Sequence, residues 1–374
     1  MSNVYIKKSK LYDLWWKSAG RCEFKGCNKP LYKHGVTLDE CNIAEFAHII
    51  ASSENGPRGH PKLSEDLAND IKNIMLLCSG CHKYIDNEGK YKYTAEMLYD
   101  MKQHHEDRIA RLTSLGEDLQ THVVTYGSKI GTHNPEFLFP QIQDALLPDF
   151  YPVNDIPIYL GGNWSTVKDW DKNWEREIEN LEYNCRYKIL DNIDRWEYKR
   201  IALFALAPMP LLVKLGTILN NKHEVEIFQK QRSGGWKWSL EDVHTDYIIN
   251  RPENTQSDPV LALSLSFPIA DRVKNQNPKA SIWEMTIESP NPDFLRSKQQ
   301  LYKFGREIEL LLDEITKTSN NKPLKLYLSV PIACAIEFGR VWMQKANSSL
   351  KIYDLDKQVD NNDKLAITIE NKKL

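Results

Sequence analysis

"NIMLLCSGCHKYID", residues 73–86, decides how the first third of this chain is read. It places C-x2-C at Cys78 and Cys81, with His82 and Asp86 directly after. On a helix beginning near Gly80, His82 and Asp86 are spaced i, i+4 and share a face. Such a pair can hold a hard divalent ion, Mg²⁺ or Mn²⁺, with waters completing the shell. The two cysteines need partners, and a second pair, Cys22-x4-Cys27, ends 51 residues before Cys78. Four thiolates suit tetrahedral Zn²⁺, and they leave no open position for water, so this zinc is expected to be structural. The alternative is two unrelated reduced pairs.

The wider chain has 374 residues, more than one core usually holds, so two domains are expected. Of seven cysteines, Cys41, Cys185 and Cys334 stand alone and read as small packing residues. The longest apolar run, Ile201 to Val213, contains two prolines and is too short to span a bilayer. "MSNVYIKKSK" has no apolar core, so neither a signal peptide nor a membrane partner is expected, and the location is expected to be cytoplasmic. Net charge is −2, yet residues 1–34 carry eight Lys/Arg against two Asp/Glu, a local excess that suits a polyanion or forms a solvated basic face.

Helices are expected over 9–20, from Ser64 to about Lys72, and over 94–112. The last is capped by Thr94, with Leu98, Met101, Ile109 and Leu112 on one face. "EFAHII" (45–50) reads as a strand leading into a loop, and "ENGPRGHP" (54–61) as a Gly/Pro-rich loop. His48 lies 25 residues before Asn73, and Asn73 nine before His82.

His-Asn-His in that order, flanked by C-x4-C and C-x2-C, resembles the HNH (ββα-metal) endonucleases. "RCEFKGC", "EFAHIIASSENGPRG", "NIMLLCSGCHKYID" and "MKQHHED" carry the likeness, which covers Leu14 to His105. The resemblance implies an α+β zinc-containing nuclease domain. In it His48 is the general base, Asn73 fixes the loop bearing His48, and His82 and Asp86 bind the catalytic ion. Cys22, Cys27, Cys78 and Cys81 hold the structural Zn²⁺. Arg58 is expected to contact a DNA phosphate. Many relatives carry an Asp or His metal ligand directly before the base; here Ala47 stands there. Either the ion has fewer protein ligands or Glu45 or another residue substitutes. His104 and His105 read as structural helix residues, His34 and His60 as exposed loop residues or phosphate contacts.

Beyond Leu112 the composition changes. The expected division is 1–116 nuclease, 117–139 linker and connecting strand, and 140–374 a second domain. There "DWDKNWEREIENLEYN" (169–184) is an amphipathic helix with Trp170, Trp174, Ile178 and Leu181 on one face. "IALFALAPMPLLVKLGTIL" (201–219) and "LKLYLSVPIACAIEFGRVW" (324–342) share one plan: buried strand, proline, helix with a glycine. Pro-x7-Gly recurs at 208/216 and 331/339, and each copy precedes a strand, 225–228 and 350–353. Strands are also expected at 259–267 and 281–288, and a helix over 297–316. Apolar strands alternating with helices mean parallel sheets, so two fused Rossmann-like halves are expected.

Such halves bind ligands at the C-terminal ends of their strands, and none here carries GxGxxG or a Walker lysine. The arrangement, with "RSGGWKW" (232–238), resembles the SAVED domain, a fused pair of CARF-like halves, over Pro140 to Leu374. That resemblance implies a sensor of a cyclic di- or trinucleotide in CBASS antiphage defence. Stacking and phosphate contacts are expected from Met209, Arg232, Trp236, Trp238, Phe267, Phe294, Arg296 and Ile332. The pairing with an HNH domain implies a ligand-activated effector that cuts double-stranded DNA and assembles as a homo-oligomer. Two rivals are an HNH restriction enzyme whose second domain reads modified DNA and a non-catalytic zinc DNA-binding sensor.

Overall fold

The computed structural model describes residues 8–114, 116, 119–130, 134–161, 170–232, 234–239, 244–356 and 362–372. The chain falls into two units, Met1–Gly116 and Glu117–Leu374.

The first unit begins with α1 (Lys8–Lys17), followed by β1 (Ala44–His48) and the short α2 (Leu63–Asp66). After these come β2 (Ile74–Cys78), α3 (Ser79–Asp86) and α4 (Ala95–Thr113). β1 and β2 are antiparallel, with Glu45 opposite Leu77 and His48 opposite Ile74. α3 follows β2 without a break, so this region is a ββα unit. Ala47, Ile49, Leu76, Leu77, Ile85 and Leu98 form its core. Thr94 caps α4 by accepting from the Met97 N–H at 3.3 Å. Leu98 and Ile109 are buried as the periodicity expects, but Leu112 is exposed in the last turn. The helix expected from Ser64 to about Lys72 stops at Asp66. The Asp70 carboxylate accepts from the Lys72 N–H at 2.9 Å, a local bond that competes with helix continuation and starts a 3-10 turn, Ile71–Asn73.

The second unit opens with β3 (Gln120–Gly127), α5 (Phe139–Leu146), β4 (Tyr151–Pro152), β5 (Ile158–Tyr159) and α6 (Trp170–Cys185). β6 (Ile201–Leu206), α7 (Met209–Leu219) and β7 (Val225–Phe228) complete a parallel sheet in the order β4-β3-β6-β7, with β5 also on β3. Residues 117–139, expected as linker and connecting strand, therefore supply an inner strand of this sheet: β3 pairs with β6 from His122 to Gly127 and is buried along nearly its whole length. On α6, Trp174 and Leu181 are buried and Ile178 packs against them, while the Trp170 side chain lies outside the described residues.

The second half contains β8 (Ile248–Asn250), β9 (Pro259–Ser264), α8 (Ala270–Gln276), β10 (Ser281–Thr286) and α9 (Lys298–Thr318). β11 (Leu324–Ser329), α10 (Ile332–Val341), β12 (Leu350–Asp356) and β13 (Asn362–Ile369) follow. Their sheet runs β13-β12-β11-β9-β10-β8, parallel at its centre and antiparallel at both edges. A capping box between Ser297 and Gln300 starts α9. No helix among the described residues is long and apolar enough to cross a membrane.

The repeated Pro-x7-Gly has a physical cause. Pro208 and Pro331 stand at the N-caps of α7 and α10, where a missing N–H costs no helical bond. The two glycines then meet where these helices cross. A Cβ on Gly216 would lie 2.1 Å from the Ile336 carbonyl oxygen and 2.9 Å from the Gly339 Cα; one on Gly339 would lie 2.1 Å from the Val213 oxygen and 3.0 Å from the Gly216 Cα. The contact is backbone on backbone and reciprocal, which is why both copies keep glycine.

Gly216→Ala sets two effects against each other. Alanine favours a helix by about 1 kcal/mol over glycine. The added methyl, however, meets a carbonyl that cannot rotate away, and overpacking of this kind costs about 1–3 kcal/mol or more. A net loss of stability in the second unit is expected in denaturant unfolding followed by tryptophan fluorescence. Unchanged or raised stability would contradict the crossing.

Candidate active site and metal centres

The Sγ atoms of Cys22, Cys27, Cys78 and Cys81 all lie within 4.8 Å of one another. Gly26, at φ +86°, lets the chain turn tightly between the first two. Cys78 is the N-cap of α3 and Cys81 lies in its first turn, so the end of β2 delivers the second pair. Cys27 and Cys78 are 3.9 Å apart, sulfur to sulfur. Tetrahedral zinc with Zn–S near 2.3 Å needs about 3.8 Å. Burial, then the neighbouring thiols, push the Cys22 thiol up to about 12 and raise Cys81 as well. Four sulfur ligands this close together could hold a metal ion, and their number and spacing fit Zn²⁺.

His48 closes β1. Its Nε2 lies 3.0 Å from the Ala68 carbonyl oxygen. A carbonyl only accepts, so Nε2 carries a proton, and in the neutral imidazole Nδ1 is the nitrogen that bears the lone pair. Asn73 holds this arrangement from both sides. Its Oδ1 accepts from the Ile50 N–H at 2.9 Å, and its Nδ2 donates to the Ile50 oxygen at 2.9 Å and the Leu67 oxygen at 3.3 Å. Ile50 lies two residues beyond the histidine, and Leu67 directly precedes the residue that receives its ring. The Tyr99 hydroxyl donates to the remaining Oδ1 lone pair at 2.8 Å. Asn73 is fully buried, and all four of its bonding positions are used.

On α3, His82 Nε2 is 3.2 Å from Asp86 Oδ2, and Nδ1 is 2.6 Å from Glu45 Oε2. The hydrogen bond to Asp86 first, then that to Glu45, raises the His82 imidazole above its ordinary value. Burial works against ionisation of Asp86, but bonds from His82 and Arg58 outweigh it and hold the carboxyl below the usual range. Adjacent ligands of an octahedral ion at about 2.1 Å stand about 3.0 Å apart, close to the Nε2–Oδ2 separation. An imidazole nitrogen and one carboxylate oxygen thus fit Mg²⁺ or Mn²⁺. Glu45 stands on the opposite ring nitrogen from Asp86. It can orient His82 as carboxylates orient metal-bound histidines, and it does not take the place vacated at Ala47.

Arg58 departs from expectation. Its side chain is 6% exposed and φ is +57°. Nε donates to the Ile49 oxygen at 2.6 Å, one terminal nitrogen to the Ile85 oxygen at 2.8 Å, and the other to Asp86 Oδ1 at 2.7 Å and more weakly to the His48 oxygen at 3.4 Å. It ties the loop after His48 to α3, and with four of its five N–H groups bonded inside the protein its guanidinium serves the fold rather than forming an open phosphate contact. His105 is buried with Nε2 on the Ser18 oxygen at 3.1 Å, while His104 is exposed. His60 Nδ1 accepts from the Leu63 N–H at 3.2 Å, and His34 Nδ1 from that of Thr37 at 3.2 Å, so both order their own loops.

In the second unit the eight candidate residues divide. Met209 and Ile332 are half-buried at the first turns of α7 and α10, after the ends of β6 and β11. Phe267 is exposed beyond β9, its N–H on Ser329 Oγ at 3.0 Å. Arg232 and Arg296 are exposed and converge on Asp293, the first on its carboxylate at 3.6 Å and the second on its carbonyl at 3.1 Å. Trp236, Trp238 and Phe294 are buried in the core, which corrects their expected role as stacking surfaces. Trp236 is flanked by Phe137 at 5.9 Å and Phe204 at 5.3 Å between ring centres. Phe294 meets Tyr247 edge-on at 6.5 Å.

Residues 22–88 match the HNH endonuclease family. Residues 185–364 match SAVED, the SMODS-associated and fused to various effectors sensor domain. None of the curated proteins matches the chain. Among solved structures, the Acinetobacter baumannii Cap4 SAVED/CARF-domain containing receptor with the cyclic trinucleotide 3′3′3′-cAAA is 12% identical, with a TM-score of 0.42 over 84% of this chain and 71% of its own. The same receptor with 2′3′3′-cAAA is 13% identical, with a TM-score of 0.41 over 85% and 71%. The Moraxella osloensis Cap4 receptor is 12% identical, with a TM-score of 0.36 over 83% and 70%. Likenesses this distant assign no residue roles.

Proposed function

We propose that this chain, an HNH endonuclease domain joined to a SAVED sensor domain, is a metal-dependent double-stranded DNA endonuclease. In this reading a cyclic di- or trinucleotide switches it on, and it serves as an antiphage effector. The observation that carries the nuclease reading is the hydrogen bond from His48 Nε2 to the Ala68 carbonyl, which leaves Nδ1 as the nitrogen for a base. His48 Nδ1 takes a proton from water, the resulting hydroxide attacks phosphorus, and the bond to the 3′-oxygen breaks. His82 and Asp86 would hold a Mg²⁺ or Mn²⁺ ion, which would supply Lewis-acid stabilisation of the charge on that oxygen. Arg58 holds the base loop and α3 in register, and Glu45 orients His82.

For the sensor, the ligand would sit at the strand ends. Met209, Phe267 and Ile332 are left to meet bases there, and Arg232 and Arg296 to meet phosphates. An unregulated nuclease of this kind would destroy its host's DNA, so the resting state must be held off. Moving a population from about 1:99 to 99:1 takes roughly 5.5 kcal/mol of differential affinity, within reach of a multiply charged ligand with stacking bases. Pairing HNH domains through chain assembly would place two cutting sites together. A sedimentation mass unchanged by the activating ligand would argue instead for rearrangement in a preformed oligomer.

The test is cleavage of unmodified duplex DNA by the full chain with Mg²⁺ or Mn²⁺. Cutting confined to modified DNA would favour the restriction enzyme. Binding without cutting under any ligand would favour the zinc-containing DNA-binding sensor.

A further inference from the structure

We infer that Tyr99 is a positioning residue for catalysis, the point at which α4 holds the asparagine that orients the general base. The inference rests on the nuclease reading of the His48 site and adds a residue to it.

The hydrogen-bond inventory carries the argument. A carboxamide offers two acceptor and two donor positions. In Asn73 both donor positions go to carbonyls and one acceptor position to the Ile50 N–H. The last is filled by Tyr99, 2.8 Å away and 26 residues later in the chain. This partner also fixes which way the amide faces. With a hydroxyl and an N–H on one end and two carbonyls on the other, a flipped amide would put oxygen against oxygen. Burial, then the charge of Asp70, pushes the Tyr99 phenol above its ordinary value, so it stays protonated and stays the donor.

Placement gives the bond its meaning. The base itself is reached through two short routes from Asn73: along the backbone from Ile50, and through Leu67 to Ala68, whose oxygen holds His48 Nε2. Tyr99 lies in the second turn of α4. That helix ends at Thr113, three residues before the boundary at Gly116. The helix leading out of the nuclease is thus bonded to its catalytic loop.

Tyr99→Phe removes one oxygen and leaves the ring packed. The experiment compares wild type, Tyr99→Phe, Asn73→Ala and the double variant as full-length chains, on plasmid DNA with Mg²⁺ or Mn²⁺ and the member of a cyclic di- and trinucleotide panel that gives the fastest wild-type cutting. Rates are normalised to zinc content and folded fraction, so that loss of folded protein is not counted as loss of catalysis. Losing a hydrogen bond of ordinary strength is expected to lower kcat about 3- to 10-fold with KM for DNA unchanged. In the Asn73→Ala background the same change is expected to have no further effect, because its target is gone. The Asn73 side-chain amide protons should also exchange with solvent faster in Tyr99→Phe. A structural role alone would lower the folded fraction without this coupling. Wild-type kcat in Tyr99→Phe, or an equal loss in both backgrounds, would overturn the inference. Should His48→Ala cleave normally in the same assay, the nuclease reading itself fails, a separate outcome.

Discussion

Replacing His48 by alanine is expected to lower DNA cleavage by about 10²- to 10⁴-fold, the range that a positioned general base contributes. The effect should fall on kcat, with DNA affinity retained. His48 acts on water, and its Nε2 is already committed to the Ala68 carbonyl. Affinity for a polyanion comes mainly from cations along the surface, and this imidazole is not one of them when it serves as a base. Two comparisons sharpen the expectation. Asn73→Ala leaves the histidine in place but frees Ile50 and Leu67, so it should give a substantial loss of its own. Arg58→Ala should lower activity and stability with little change in DNA affinity, because its guanidinium is spent on Ile49, Ile85 and Asp86. Single-turnover cleavage with a separate binding isotherm reads both quantities. Undiminished cutting by pure His48→Ala would refute the assigned base.

Removing the metal from the cysteine cluster has the other large expected effect. The first unit's core rests on a small set of side chains, among them Leu31, Ile49, Leu76, Ile85 and Leu98. Long loops separate Cys27 from β1 and β1 from β2. Structural zinc contributes about 10–16 kcal/mol of apparent binding free energy in small domains. That equals or exceeds the whole stability of a typical domain, about 5–15 kcal/mol. Chelation, or Cys78→Ser, should therefore unfold the first unit. The second unit has its own extensive core and should keep its transition. Calorimetry should show one transition lost and one preserved, and elemental analysis should find one zinc per chain in the wild type. A Cys78→Ser protein with both transitions intact and no bound metal would contradict the assignment.

What could be read from the residues alone follows a physical boundary. The cysteine pairs, and His82 with Asp86 one helical turn apart, are close in sequence, so spacing locates them. His48 and Asn73 are 25 residues apart, yet β1 and β2 bring them together through ordinary antiparallel pairing. Arg58 was not legible. Its partners Ile85 and Asp86 lie 27 and 28 residues away, and its left-handed backbone carries no local sequence sign. Tyr99 was missed for the same reason. One signal was available: a polar-tipped aromatic beside Leu98, near the apolar face of α4, needs a partner if it packs inward. In the second unit the Pro-x7-Gly repeat located both halves, but its cause is a contact between two helices that neither copy shows by itself. Trp236 and Phe294 sit in polar, glycine-bearing or proline-bearing stretches that read as binding loops. Their burial is decided by Phe137, Phe204 and Tyr247, distant in sequence or on other elements.

The central claim, that the second unit switches the first, is tested most directly by one measurement. The full-length chain is incubated with unmodified plasmid DNA and Mg²⁺ or Mn²⁺ across a panel of cyclic di- and trinucleotides, with a no-ligand lane and with His48→Ala alongside. The account expects little cutting without ligand, rapid degradation with one or a few members of the panel, and no cutting by His48→Ala with any of them. Equal cutting with and without every cyclic nucleotide, lost in His48→Ala, would show a nuclease that the second unit does not gate in this way and would contradict the account.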